Sequence, residues 1–207
     1  MTSRFSKAIR VLAVLLLATF KLSAQEPSTG LVFLSEQEYK AIPLASTAMM
    51  GTLPASKDLS AWFPQPGNQG NQSSCVAWAV CYGLKSYQEA VEHKRTPVSN
   101  DQVFSPAYVY NQIKLSGRDN GSYITSALNL LKKEGVATMQ QFPYNAFDCS
   151  RQPGAADKSA ARPYTIADWR TVPLNDEMDV KSHIASGFPV VIGMMVDEGF
   201  LRLRGNY

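Results

Sequence analysis

The apolar residues in the middle of the chain recur at helical spacing. In the first such segment they lie near one face with a period of about 3.6 residues, which predicts a helix over 75–92. Its apolar positions are Ala77, Val80, Cys81, Leu84 and Val91. We expect Ser73 or Ser74 to be its N-cap, because a serine hydroxyl accepts hydrogen bonds from the first N–H groups of a helix.

Two more helices are predicted before position 135. Ser105 and Pro106 are typical of an N-cap and a first helical turn, so we expect a short helix from there to Lys114. A loop over 116–122, rich in Gly, Asp and Asn, leads into the third helix, which Gly135 ends. The apolar face of that helix consists of Ile124, Ala127, Leu128 and Leu131.

The last third of the chain has a different pattern. Residues 142–167 are rich in Gly, Pro, Ser and Ala, and we expect them to be irregular. Asn175 is the expected cap of a further helix that ends at Gly187, and residues 189–196 are predicted to form a buried strand. Helices followed by a strand, without β-α-β alternation, indicate an α+β fold.

The net positive charge of the chain comes from its first 24 residues. The 207 residues carry 20 basic and 17 acidic side chains, a formal charge of +3. Four of the basic residues lie in this segment, which has no acidic residue, so the remainder carries 16 against 17, a net charge of −1. They are Arg4, Lys7, Arg10 and Lys21. This balance gives no reason to expect a nucleic-acid partner.

The same segment, 1–24, has the layout of a secretory signal peptide. A basic start ending at Arg10 precedes mostly apolar residues 11–20, and Ala24 suits the position before a cleavage site. A membrane-spanning helix needs roughly 20 apolar residues, so the alternative of a membrane anchor is disfavoured by Lys21. We therefore expect cleavage after Ala24 and an exported protein, either periplasmic or secreted. Residues 25–52, with one short apolar run at 31–34, are interpreted as an N-terminal extension, a short pro-segment or an added strand.

Cys75 lies where the turn-rich segment 61–73 meets the first predicted helix. Helix N-terminal N–H groups and the helix dipole favour a thiolate at this position. The Cys75 N–H is also placed to bind an oxyanion, and Gln69, across a glycine-containing loop, is positioned to bring its side-chain amide as a second donor. For an isolated cysteine at a helix start, a buried residue without chemistry is the alternative.

The chain has three cysteines, an odd number for an exported protein. Cys75 and Cys81 point about 240° apart on a helix, so they are not expected to bridge. Their spacing gives no metal-binding pattern, and we expect neither a metal nor an organic cofactor.

Several motifs, in a consistent order, resemble the papain-like cysteine peptidases. Gln69 and Cys75 have that family's six-residue spacing between the oxyanion-hole glutamine and the nucleophile. The other motifs are Cys75-Val76-Ala77-Trp78, Phe104-Ser105-Pro106-Ala107-Tyr108, Asp119-Asn120-Gly121-Ser122-Tyr123, Phe142-Pro143-Tyr144 and Phe188-Pro189-Val190-Val191. The resemblance implies a papain-like domain over 53–207, with a largely complete helical lobe and an incomplete β-barrel lobe.

The function implied by this resemblance is hydrolysis of peptide bonds in peptide or protein substrates through a thioester. Cys75 would be the nucleophile and Gln69 would stabilise the oxyanion. The residues implied to bind substrate are Asn120, Gly121, Ser122, Tyr123 and Ile124. The first three would pair with the substrate backbone, and the last two would line a side-chain pocket.

The chain also departs from the family pattern. Gln72 stands where the family has a disulfide cysteine, Val76 replaces an aromatic residue and Ser122 replaces a glycine. Cys81 and Cys149 have no family-matched partners, and free core cysteines are favoured over a disulfide between them.

A thiolate nucleophile needs an imidazole, and neither histidine suits this role. His93 lies roughly 27 Å from Cys75 by helix rise, and His183 is interpreted as an ordinary helix-face residue. The family resemblance implies a catalytic histidine and asparagine encoded downstream, so the 207-residue chain alone is predicted to be inactive. The alternative is a non-catalytic exported module that binds peptides or proteins on the same scaffold.

Overall fold

A computed structural model describes residues 29–46, 51–173 and 175–203. The predicted signal peptide, 1–24, lies outside these residues. The α-helices, in chain order, are α1 (Glu36–Lys40), α2 (Cys75–Ala77), α3 (Ser86–Glu92), α4 (Pro106–Ile113), α5 (Ile124–Glu134), α6 (Ala155–Ala161), α7 (Glu177–Ala185) and α8 (Glu198–Arg202). Within the described ranges, no helix combines the length and hydrophobicity needed to cross a membrane.

The predicted helix over 75–92 is confirmed as a helical run, but its middle is not α-helical. A π-helical stretch, Trp78–Lys85, joins α2 to α3. Ser74 is the N-cap residue, yet its side chain does not cap the helix. Its hydroxyl lies 2.7 Å from the Tyr144 hydroxyl instead, so the predicted side-chain cap is wrong because a tertiary contact takes the serine oxygen.

The other two predicted helices of this part are confirmed. The Ser105 hydroxyl caps α4 by accepting a hydrogen bond from the Tyr108 N–H at 3.1 Å. Gly135 follows α5 with φ of +78°, a backbone conformation that glycine adopts without a steric penalty. A side chain at Gly135 would also collide with the backbone of Ala161, because its β-carbon would lie 2.1 Å from that carbonyl oxygen.

The predictions for the last third need three corrections. Residues 142–167 are not irregular throughout, since α6 and a 3₁₀ turn, Arg162–Tyr164, lie there. Asp176, rather than Asn175, caps α7. Residues 189–196 form no strand. A strand needs a neighbouring strand for its hydrogen bonds, whereas a helix makes its own, and only isolated β-bridges occur in the described parts of the chain.

The hydrophobic core lies between the Cys75 helix, α4 and α5. Its largest fully buried side chains are Tyr108, Tyr110, Phe104, Phe142, Leu131, Val80 and Val109. The described residues form helices and isolated β-bridges without a β-strand, so the predicted incomplete β-barrel lobe is not confirmed. Cys75 begins a helix whose next two residues, Val76 and Ala77, are anchored in this core.

Candidate active site

Cys75 is the first residue of α2 and is half-buried. Its N–H belongs to the first turn, where backbone donors have no partner within the helix. Ser74 before it and Val76 after it are both buried, so the cysteine is held at the surface by two neighbours fixed in the interior. This places a thiol and a helix N-terminus together, as the sequence predicts.

Tyr144 links the loop of Gln69 to the residue before the nucleophile. Its hydroxyl donates to the Gln69 carbonyl oxygen at 2.8 Å, so it accepts from the Ser74 hydroxyl at 2.7 Å. Burial raises the pKa of Tyr144, which keeps this hydroxyl protonated as a donor. The sequence motif Phe142-Pro143-Tyr144 contains this residue, but nothing in it indicates the contact.

The Gln69 side chain is directed toward the loop that precedes Cys75. Its amide nitrogen donates to the Gln72 carbonyl oxygen at 2.9 Å, within the turn 69–72. A side-chain amide carries two N–H groups, and this bond engages one of them. The Gln69 amide therefore lies in the loop beside Cys75, and its contact with an oxyanion stays a prediction.

Asp119 fastens the nucleophile loop to the loop implied to bind substrate. One carboxylate oxygen accepts from the Ser73 N–H at 2.8 Å and from the Tyr110 hydroxyl at 2.5 Å. The same hydroxyl accepts from the Gly121 N–H at 3.2 Å. Burial and the Asp119 carboxylate raise the pKa of Tyr110, so its hydroxyl stays protonated. Asp119 is a positioning residue that the sequence analysis quoted only as part of a motif.

Hydrogen bonds hold the loop before Cys75 to the rest of the protein at Gln72, the position where the family has a disulfide cysteine. The Gln72 amide donates to the Asn145 carbonyl oxygen at 3.0 Å, and Ser73 is held by Asp119. All three cysteines are free thiols, in agreement with the expectation for Cys81 and Cys149. Burial raises the pKa of both of those thiols, which disfavours their thiolate forms.

The residues implied to bind substrate lie in one loop and the start of α5. Ser122 is buried, and its backbone forms a parallel β-bridge with Leu31. Gly121 has φ of +78°, Asn120 is exposed, Tyr123 is the N-cap residue of α5, and Ile124 is half-buried in its first turn.

Gly30 joins this loop to the nucleophile, and the sequence analysis missed it. Its N–H donates to the Cys75 sulfur at 3.3 Å, and its carbonyl oxygen accepts from the Ser122 N–H at 2.8 Å. The only sequence signal nearby is the apolar run at 31–34, which indicates no site by itself.

Neither histidine is recorded in contact with Cys75. Nε2 of His93 lies 3.3 Å from a Glu89 carboxylate oxygen, near the end of α3. Nδ1 of His183 lies 2.9 Å from the Asp179 carbonyl oxygen inside α7. Across the described residues, no group of three or more His, Cys, Asp or Glu side chains is arranged to hold a metal ion.

Comparison with known proteins gives consistent matches. The family model described as papain family cysteine protease matches residues 53–205. An uncharacterized peptidase C1-like protein of Acanthamoeba polyphaga mimivirus is 25% identical over 144 residues, which are 65% of this chain and 45% of that protein.

Solved structures also resemble the described fold. Xylellain, a cysteine protease from Xylella fastidiosa, superposes with a TM-score of 0.63 at 22% identity, covering 78% of this chain and 64% of that one. Digestive procathepsin L 3 of Tenebrio molitor larval midgut gives 0.52 at 19% identity, covering 70% and 48%. At these identities the structures support the fold alone.

The matched region spans between about half and two thirds of each relative's length, from 45% to 64%. The family match itself extends over most of this chain, from Leu53 to position 205, and contains both Gln69 and Cys75. The chain therefore belongs to the papain family of cysteine proteases.

Proposed function

We propose that this chain carries the nucleophile half of an exported cysteine peptidase that hydrolyses peptide bonds, with Cys75 as the nucleophile. One observation supports this most directly. The backbone segment at Gly30 and Leu31 pairs with Ser122, and its Gly30 nitrogen lies 3.3 Å from the Cys75 sulfur. A peptide bound along Ser122 would therefore lie against the thiol.

In the proposed reaction the Cys75 thiolate attacks the peptide carbonyl carbon and forms a C–S bond. The carbonyl oxygen becomes an oxyanion, which the Cys75 N–H and the Gln69 amide stabilise. The C–N bond breaks as an imidazolium gives the amine its proton, leaving a thioester and a neutral imidazole. Water then attacks the thioester carbonyl while the imidazole takes its proton, and the C–S bond breaks. This releases the carboxylic acid and restores the thiolate and the imidazolium.

The imidazole is not provided by either histidine in its described position. A histidine and asparagine encoded after codon 207 stay a prediction, as does the inactivity of the 207-residue chain alone. Reading the downstream frame tests the first point. Assaying the purified chain on a fluorogenic peptide tests the second, and turnover that disappears in Cys75→Ala would contradict it.

The decisive experiment uses the chain extended through its downstream reading frame. We expect peptide hydrolysis that is abolished in Cys75→Ala and retained in Cys149→Ala, a matched change at another half-buried free cysteine. Gln69→Ala should lower kcat by about a hundredfold, the usual effect of losing one oxyanion donor. Full activity in Cys75→Ala would refute the nucleophile assignment.

The alternative, a non-catalytic peptide-binding module, gives a different result in the same experiment. Peptide binding would persist with Cys75→Ala, and no hydrolysis would appear in the extended protein. Export rests on the sequence of residues 1–24 and is tested separately, by N-terminal sequencing of protein from the extracytoplasmic fraction. We expect mature protein beginning at Gln25.

A further inference from the structure

We propose that Tyr110 is a positioning residue for the reaction at Cys75. Its buried hydroxyl fixes the shape of the loop 119–122, so that the Asp119 carboxylate reaches the loop before the nucleophile. This inference rests on the proposed function, because it takes Cys75 as the nucleophile and the loop 119–122 as part of the substrate site. Tyr110 acts through these two loops and does not itself touch the substrate.

The first argument is that three hydrogen bonds form one continuous link between the two loops. The Tyr110 hydroxyl donates to Oδ1 of Asp119 at 2.5 Å and accepts from the Gly121 N–H at 3.2 Å. The same Asp119 oxygen accepts from the Ser73 N–H at 2.8 Å. The link therefore runs from the substrate loop to a residue two positions before Cys75, and a shift of either loop would break it.

The second argument is the burial of the tyrosine. Tyr110 has no exposed surface and Gly121 is buried, whereas Asp119 is exposed. A hydrogen bond to an exposed carboxylate replaces one to water and adds little order by itself. The buried hydroxyl gives the Asp119 carboxylate a partner that solvent does not reach. Tyr110 is therefore the fixed end of the link, and Asp119 is the part that reaches the nucleophile loop.

The third argument is that one rigid helix supports both loops. Residues 106–111 of α4 are all buried, and α4 packs against α2, the helix that begins at Cys75. Two residues after the end of α4, the Leu115 N–H donates to the Gly121 carbonyl oxygen at 3.0 Å. Both backbone polar groups of Gly121 are thus held by α4 or by the turn that follows it. The helix that carries Tyr110 is therefore a common reference for the thiol and the substrate loop.

The proposed reaction gives this separation a chemical consequence. A thiolate attacks only when the peptide carbonyl carbon lies in contact with the sulfur, and a small misplacement lowers the rate strongly. The loop that ends at Cys75 sets the position of the sulfur, and backbone pairing with residues 120–122 sets the position of the peptide. Loss of the Tyr110 hydroxyl should therefore lower kcat more than it raises KM, because the peptide still binds but is less often in a productive position.

The first test compares two tyrosine variants of the chain extended through its downstream reading frame. Tyr110→Phe removes only the hydroxyl and should lower kcat about tenfold, with a change in KM below about twofold. Tyr108→Phe is the matched control, because Tyr108 is fully buried in the same helix and its hydroxyl bonds to neither loop in the described part of the chain. It should keep both constants. An unchanged kcat in Tyr110→Phe, or an equal loss in Tyr108→Phe, would overturn the proposal.

Variants of Asp119 test whether the two side chains act as one unit. Asp119→Ala should lower kcat to a similar extent as Tyr110→Phe, whereas Asp119→Asn keeps an acceptor oxygen and should retain most of the activity. Because both substitutions break the same link, the double variant Tyr110→Phe/Asp119→Ala should lose no more than the larger single loss. Losses that multiply in the double variant would contradict the proposal. Asp119 is exposed, so its variants also decide the question if Tyr110→Phe folds poorly.

Amide hydrogen exchange, measured by NMR on the 207-residue chain, follows the link without requiring activity. In Tyr110→Phe the Gly121 N–H loses its acceptor and the Asp119 carboxylate loses its buried partner. We therefore expect the N–H groups of Gly121 and Ser73 to exchange at least about fivefold faster, with no change at either in Tyr108→Phe. An unchanged Ser73 rate would overturn the proposal, because Tyr110 would then act on one loop alone.

Hydrogen exchange does not depend on hydrolysis, so the two proposals can fail separately. Faster exchange at Ser73 and Gly121 in Tyr110→Phe, together with no hydrolysis by the extended protein, would support the link and refute the peptidase. Hydrolysis that depends on Cys75, with the exchange rates and kcat unchanged in Tyr110→Phe, would support the peptidase and refute the positioning role.

Discussion

Two regions of the molecule with similar hydrophobic content differ in how their apolar side chains are used. In the core region, residues 75–161, most of the large apolar side chains pack in the buried cluster between the helices, although Val91, Val98 and Phe147 are exposed. In the C-terminal region, 165–173 and 175–203, the described buried side chains are polar ones from α7, and large apolar side chains are exposed. The exposed set includes Phe188, Ile192, Met194, Met195, Phe200 and Leu203.

This difference follows from where each region finds its hydrogen bonds. Helices satisfy their backbone internally, so α4 and α5 form and then pack against the Cys75 helix. The apolar run at 189–196 needs a partner strand to become a sheet, and the described residues provide none. Hydrophobicity alone therefore does not determine burial, because backbone pairing has to be satisfied as well.

The largest expected effect that separates the two regions is the loss of a buried ring. Phe142 is fully buried, stacks edge-to-face on Tyr108 at 5.7 Å and lies under the Arg151 guanidinium at 3.9 Å. Phe142→Ala should lower the free energy of unfolding in urea by about 3–5 kcal/mol. Phe188→Ala, at a phenylalanine that is 61% exposed, should change it by less than about 0.5 kcal/mol. Equal losses would contradict the comparison.

The next largest effect concerns two lysine–glutamate pairs with the same i,i+4 spacing. Lys85 is buried, pairs with Glu89 at 2.7 Å and donates to the Thr165 carbonyl oxygen at 3.0 Å. Lys85→Ala leaves the Glu89 carboxylate without that partner, so we expect a loss of about 3 kcal/mol.

Lys181 is the matched site, because its pair with Glu177 in α7 is exposed on both sides. Lys181→Ala should cost less than about 0.5 kcal/mol, since solvent screens such a pair. Both variants are compared by urea unfolding. If Lys181→Ala proved as destabilising as Lys85→Ala, burial would not be the factor that distinguishes the pairs.

The same contrast explains which sequence predictions succeed. The helix over 75–92, the Ser105 cap and the Gly135 stop depend on neighbours a few residues apart, and all three are confirmed. The strand at 189–196 depends on a distant partner and is wrong. The π-helical stretch Trp78–Lys85 was also missed, because its apolar spacing fits an α-helix equally well.

In the candidate site, the sequence indicates candidate residues but not the contacts between them. Cys75 and Gln69 are predicted as site residues from their spacing around a turn-rich loop, before any fold is known. The Asp119 carboxylate bonds Ser73, which is 46 positions away in the chain. The Gly30 N–H bonds Cys75, which is 45 positions away. Neither residue type indicates such a role, so only the folded arrangement identifies them.

A smaller effect is expected for aspartates that accept backbone N–H groups in the two regions. Asp119 bonds the Ser73 N–H and the Tyr110 hydroxyl, so Asp119→Ala should cost about 1.5 kcal/mol in urea unfolding. Asp197 accepts one hydrogen bond from the described residues, from the Phe200 N–H at the start of α8, and Asp197→Ala should cost about 0.5 kcal/mol. Asp119→Asn keeps one acceptor oxygen and should fall between the two. A larger loss at Asp197 than at Asp119 would show that the loop contact is dispensable.

The smallest expected effect concerns Asp168 in the C-terminal region and depends on pH. A hydrogen bond from the Lys132 ammonium at 2.9 Å is the main cause that lowers the pKa of Asp168 to about 2. Because the folded-state pKa lies below the unfolded value of about 3.9, the stabilisation is present above pH 4 and is lost as pH falls toward 2. Asp168→Asn should therefore lower the Tm slightly at pH 7 and by less at pH 2. The Asp168 side chain is solvent-exposed, so this change in Tm should be smaller than the effect of any substitution above. A Tm difference that grows on acidification would have the wrong sign for this carboxylate.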